Sequence, residues 1–268
     1  MPLEKSEAII LKSFNWSESS RFVVFFTNEL GKLRLSDRGG RSIKTKRGRL
    51  MPFARLEIAF YTSEKLTTGY ISDSELLELF SFEKEGTLGR LAYGSAACEL
   101  LYLLLPEEEP QRALYTYTIS YLRIIDSADR RSLPSLFIAF FLRLLSQLGY
   151  HPSLSYCAVS GDEVDSFLSK GAEVLFSPES GGIVSPPCQR AGEYYITLSY
   201  DCFSHLLALQ RASLAEAAAH PVGFAEASVI LEALRKFLQY QADTRAGLKS
   251  LEFLDKLKKT HLEMKRDA

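Results

Sequence analysis

The period of the apolar residues changes near residue 80, and that change constrains the fold more than any other feature. Before it, apolar residues come in short runs or alternate with polar ones, as in half-buried β-strands. "FARLEIAFYTS" sets Phe53, Leu56, Ile58 and Phe60 against Arg55, Glu57 and Ala59. "EAIILKSFNW", "RFVVFFTN", "ELGKLRLSD" and "LTTGYISDSELLELF" read as four further strands, the last drifting into helical spacing. After the change, apolar residues recur at three- and four-residue steps. Leu114, Tyr117, Tyr121 and Ile125 do so in "PQRALYTYTISYLRIID". "TLGRLAYGSAACELLYLLL" is apolar all round and stops at Pro106 and the acidic turn "EEEP". "SLPSLFIAFFLRLLSQLGY" is a third helix, with Pro134 near its start, where proline is tolerated. "SYDCFSHLLALQRASLAEAAA", "GFAEASVILEALRKFLQYQAD" and "LKSLEFLDKLKK" are helical again. The class is therefore α+β, with a strand domain over residues 1–80 and a helical domain over 81–268. Five short strands with a long loop between the third and fourth fit a small barrel; a sandwich fragment is the rival architecture.

Residues 150–192 interrupt the helices with Gly, Ser and Pro, leaving room for one short hairpin around "AEVLFS". The flanking segments contain Cys157-Ala-Val-Ser160 and Ser185-Pro-Pro-Cys188. They read as two halves of a zinc ribbon, each with one of its two thiolates replaced by serine. A structural zinc site closes with four donors, and a serine hydroxyl is not ionised near neutral pH. The insert is thus expected to be a degenerate, zinc-free knuckle around Cys157 and Cys188, and no cofactor is expected. With four scattered cysteines and no apolar leader at the N-terminus, the chain is expected to be reduced and cytoplasmic. The greasiest stretches are too short or too charged to span a bilayer.

Catalysis finds no support. No glycine-rich phosphate loop, dinucleotide fingerprint or nucleophile elbow is present. His151, His205, His220 and His261 lie far apart in the sequence. Charge is more informative. The formal net charge is -1, yet residues 1–60 hold 12 Lys and Arg against 6 Asp and Glu. Half of those cations fall in "RGGRSIKTKRGRLMPF": Arg38, Arg41, Lys44, Lys46, Arg47 and Arg49, with no acid between them. A basic face on an otherwise acidic chain implies a localised polyanion site. Arg21, Lys32 and Arg34 lie at strand ends or on alternating strand positions near the loop and extend it. Trp16, the only tryptophan, precedes the polar turn "SESS" and is the candidate for stacking on a base. Of the other candidate aromatics, Phe14, Phe53 and Tyr61, Phe53 is expected in the core.

The order of these motifs resembles the bacterial recombination mediators of the RecO family, from about residue 7 to the C-terminus. The resemblance is carried by "AIILKSFNWSESSRFVVFFT", by "GKLRLSDRGGRSIKTKRGRLMPF", by "FSPESGG" at the position of the family's cysteine motif, and by the terminal "LKSLEFL". The chain departs from the family at Ser20, where an aspartate is usual, and at the two missing cysteines. The resemblance implies an N-terminal five-stranded OB-fold barrel, a helical C-terminal domain and a knuckle that binds zinc in some members. It implies a non-enzymatic, nucleoid-associated protein of recombinational DNA repair. Such a protein binds single- and double-stranded DNA and anneals complementary strands. With RecR it helps load RecA, indirectly, onto DNA coated by single-strand-binding protein, whose acidic C-terminal tail is a further partner. The competing readings are an OB-fold module that binds RNA or a peptide tail without annealing.

Overall fold

The structure is a computed structural model and describes residues 3–40, 50–62, 69–242, 249–250 and 252–253. It divides into two compact units, Met1–Ser127 and Ala128–Ala268.

The first unit opens with β1 (Leu3–Asn15), β2 (Arg21–Thr27), β3 (Gly31–Asp37), β4 (Ala54–Tyr61) and β5 (Tyr70–Leu79). Their hydrogen-bonded order is β1-β2-β3-β5-β4, with β4 returning to β1 to close a barrel. All pairings are antiparallel except β3 to β5, which meet in parallel at Ser36 and Tyr70. This is the five-stranded barrel that the strand spacing and the family resemblance imply, and it removes the sandwich alternative. β1 is long enough to pair with β2 at one end and β4 at the other because a bulge between Ile10 and Lys12 bends it. Alternate residues point inward: Val23 and Phe25 on β2, Leu33 and Leu35 on β3, and Leu56, Ile58 and Phe60 on β4 build the core. "SDSELLELF" is strand up to Leu79 rather than the start of a helix, because its backbone pairs with β4 from Tyr61 to Ala54.

Among the described residues of this unit, two helices lie against part of the outer face of the barrel. α1 (Thr87–Leu104) and α2 (Arg112–Ser127) belong to the same unit as the strands. Tyr115 of α2 meets Phe26 of β2 edge-on at 5.5 Å. Gly31 at the β2–β3 turn has φ 73°, and a Cβ there would lie 2.1 Å from the carbonyl oxygen of Glu109. Only glycine admits the acidic turn so close. Arg90 of α1 is 2% exposed. Its Nε and Nη2 donate to the carbonyl of Glu85 at 3.2 and 3.0 Å, and its Nη1 donates to that of Ile125, joining α1 to the end of α2.

In the second unit α3 (Leu133–Gln147) is buried on nearly every side, among α4 (Tyr200–Arg211), α5 (Leu214–Ala219) and α6 (Phe224–Gln241). The stretch that reads as one helix from Tyr200 splits into α4 and α5. Ser213 starts the second helix with a capping box: its hydroxyl accepts from the Glu216 N–H while the Glu216 carboxylate accepts from the Ser213 N–H. The hairpin of the insert gains a third strand from just beyond it. β6 (Val174–Ser177) pairs with β7 (Gly182–Val184) and also with β8 (Ile196–Leu198), in the order β7-β6-β8.

Candidate nucleic-acid interface

The candidate site lies on the outer face of the barrel, around the turn after β1. The turn after β1 closes on serines: Trp16 N–H and Ser17 N–H both donate to the Ser20 carbonyl at 3.1 Å, and Ser20 N–H donates to Ser17 Oγ at 3.1 Å. Short hydroxyl side chains favour such local bonds. The turn leaves Trp16 72% exposed, its ring edge-on to Phe22 at 5.1 Å. Phe22 precedes the core residue Val23 and therefore points outward. Arg34 points outward from β3, and its guanidinium carbon lies 4.6 Å from the Phe22 ring centre. On β1 the Lys12 ammonium stands 5.0 Å from the Phe14 ring and 4.4 Å from that of Tyr102 on α1. Arg38, just past β3, lies 4.9 Å over Tyr70.

The other basic residues singled out from the sequence are placed differently. Arg21 Nε donates to Asp37 Oδ2 at 2.9 Å, in a pair whose side chains are 24% and 6% exposed. Lys32 is half-buried and donates to the Tyr102 carbonyl at 3.2 Å. Burial lowers its pKa, against the opposing pull of Glu107. Arg41, Lys44, Lys46, Arg47 and Arg49 lie outside the described residues. Elsewhere on the barrel, cations are matched by acids: Lys5 pairs with Glu57 at 2.9 Å, and Arg55 with Glu7 at 2.8 Å. Phe53 is half-buried, its ring 5.0 Å from that of Phe82, so it serves packing.

The structure adds Lys12, Phe22 and Tyr102 to the candidates. Strand parity marks Phe22 as outward, whereas Lys12 shares the parity of the core-facing Ala8 and Ile10 and changes side at the bulge between Ile10 and Lys12. Tyr102 has no signal in the sequence, because its place depends on how α1 lies on the barrel.

Comparison with known proteins bears on this geometry. The model for the N-terminal domain of recombination protein O matches residues 1–80, and that for its C-terminal domain matches residues 85–252. The chain belongs to the RecO family. Among its relatives is a protein named DNA repair protein RecO in Symbiobacterium thermophilum, 31% identical over 96% of this chain and 99% of that protein. Proteins of the same name in Pelotomaculum thermopropionicum and Anaeromyxobacter dehalogenans are 28% and 30% identical over 96% and 94% of this chain, and over 95% and 96% of their own lengths. Ser20, where the resemblance implies an aspartate, has a local task here. Its hydroxyl accepts from Gly39 N–H at 3.4 Å and ties the Trp16 turn to the end of β3.

The structural zinc that the resemblance raises does not fit the donors gathered among the described residues. Cys157 Sγ accepts from Ser160 N–H at 3.5 Å and from Ser185 N–H at 3.4 Å, and lies 3.5 Å from Ser185 Oγ. The partners of this sulfur are serine groups, not the further thiolates that a four-donor site needs. Burial pushes this thiol up, and the bonds from Ser160 and Ser185 outweigh it, bringing the pKa down to about 6. Among the described residues no three His, Cys, Asp or Glu side chains gather to hold a metal ion. Two histidines distant in sequence do meet: His205 Nδ1 is 2.8 Å from His220 Nε2. Burial and this neighbour lower the pKa of His205. Among the described residues no helix is long and apolar enough to cross a membrane.

Proposed function

We propose that this chain is a non-enzymatic, DNA-binding recombination mediator. It anneals complementary single strands and helps load a recombinase onto strands coated by single-strand-binding protein, in concert with RecR and the acidic tail of that protein. The observation that carries the reading is the trio Lys12, Arg34 and Arg38, each standing over an aromatic ring on the barrel. The sequence adds Arg41, Lys44, Lys46, Arg47 and Arg49 directly after them. Arg21 and Lys32 are assigned to support this surface from behind, through Asp37 and Tyr102. Cations there neutralise phosphates whatever the base sequence. Two polyanions repel, and a surface that neutralises them lowers the barrier to their pairing without ATP or bond breaking.

The test mixes labelled complementary oligonucleotides with the protein, first bare and then coated by single-strand-binding protein. Faster pairing on coated strands is the expected result, since a simple polycation is blocked by the coat. Tight binding with no acceleration on either substrate would reduce the protein to a plain binding module. Full displacement of DNA by a short acidic peptide would show that the basic face serves both ligands.

A further inference from the structure

We infer that a belt of half-buried rings crossing the five strands of the barrel stacks unpaired bases, so that the site takes single-stranded nucleic acid by its bases as well as its phosphates. The inference rests on the DNA-binding reading above and deepens it.

The belt is written in the strand register. Phe14 of β1 is paired with Phe22 of β2, Phe22 with Ser36 of β3, Ser36 with Tyr70 of β5, and Tyr70 with Tyr61 of β4. These residues are direct cross-strand neighbours along one row. They share a face as well, because Phe22, Ser36, Tyr70 and Tyr61 each adjoin a core residue: Val23, Leu35, Ile71 and Phe60. All five are half-buried, whereas Val24 and Phe26, outward residues further along β2, are buried. Among the described residues α2 covers the outer face at Phe26, and α1 reaches the row at its Phe14 end, where the Tyr102 ring lies 6.1 Å away. Tyr61 and Tyr70 stack at 5.1 Å with their planes 30° apart, and Trp16 extends the row at Phe22.

Strands lie about 4.8 Å apart, so four steps give a path of about 19 Å perpendicular to them. That is room for about four nucleotides, at the low end of the range for one OB barrel. Cations alternate with rings along it, Lys12 at Phe14, Arg34 at Phe22 and Arg38 at Tyr70. A single strand alternates phosphates and bases in the same way. A cation over an exposed ring is held more weakly than one bonded to phosphate. Arriving phosphates therefore draw the cations aside and uncover ring faces for the bases. Duplex bases are already stacked and paired, and gain nothing from the rings.

The experiment compares binding of the full chain to an oligo-dT strand and to an abasic strand of equal length, by fluorescence anisotropy. The variants are Phe22→Leu/Tyr70→Leu, which keeps apolar bulk, and Ser36→Tyr, which fills the gap in the row. The wild-type protein should prefer dT. The double variant should lower the dT-to-abasic affinity ratio by at least about fivefold, the smaller end of a single base–ring stack. Ser36→Tyr should raise that ratio, a gain that no folding defect can mimic. Trp16, as the only tryptophan, should be quenched more by dT than by the abasic strand. Equal wild-type affinity for the two strands, or an unchanged ratio in both variants, would overturn the belt while leaving phosphate binding intact. Failure of the wild-type protein to bind either strand would overturn the DNA-binding reading and the belt with it.

Discussion

Arg21 and Arg34 are basic residues on adjacent strands, and alanine at each should fail in different ways. Arg34 projects over Phe22 at the exposed face, where a phosphate can take its guanidinium. For single strands, log affinity falls with log salt by about 0.7 per neutralised phosphate. Arg34→Ala should therefore reduce the slope by about 0.7. By the same relation the cost is about fivefold in affinity at 0.1 M salt, shrinking to about threefold at 0.2 M. Its melting temperature should stay within about 1 °C, as for other surface changes. Arg21→Ala should leave the slope unaltered. It removes the guanidinium from Asp37, whose side chain is only 6% exposed, at a cost of about 1–2 kcal/mol for a partly screened pair. In a unit of this size that is a fall of about 5 °C. Anisotropy titrations across a salt series, with thermal melts of the same samples, measure both quantities. A reduced slope without a lowered melting temperature for Arg21→Ala would refute the assignment of Arg21 to support and Arg34 to contact.

Three further outcomes follow from the helical parts and the knuckle. Purified protein should contain less than about one tenth of an equivalent of zinc, and chelators should leave its melting temperature unchanged, because two thiols cannot close a four-donor site; stoichiometric metal by elemental analysis would count against this. Thiolate absorbance should rise with a midpoint near pH 6 and lose that step in Cys157→Ser, while burial pushes Cys98 up to about 12 and keeps it silent. Since the folded value of Cys157 lies below the unfolded one near about 8.5, the folded state binds fewer protons in between. The thiolate's contribution to stability is complete above about 8.5 and is lost as pH falls through about 6; denaturant midpoints of wild type and Cys157→Ser should converge at acid pH. Arg90→Met keeps side-chain length but withdraws the donors to Glu85 and Ile125. It should lower stability by about 2–4 kcal/mol at unchanged m-value, read from urea unfolding.

The strand-to-helix change, the polarity of each strand, the basic run and the degenerate cysteine pattern are all legible in the sequence, because each is a local regularity of period or composition. Parity alone turns Phe22, Arg34 and Tyr61 outward once Val23, Leu35 and Phe60 are read as core. Parity does not say which outward residue acquires a partner. Arg21 and Arg34 look alike as basic residues on neighbouring strands, yet Asp37 takes one and Phe22 the other. Lys32 looks like a surface cation until α1 arrives and Tyr102 takes its ammonium. The ladder from Phe14 to Tyr61 exists only because β5 joins β3 at Ser36 and Tyr70, residues 34 positions apart. Such pairings depend on the closure of the barrel and the seating of its helices. They are set by the burial of whole faces, a property that no short window of residues contains.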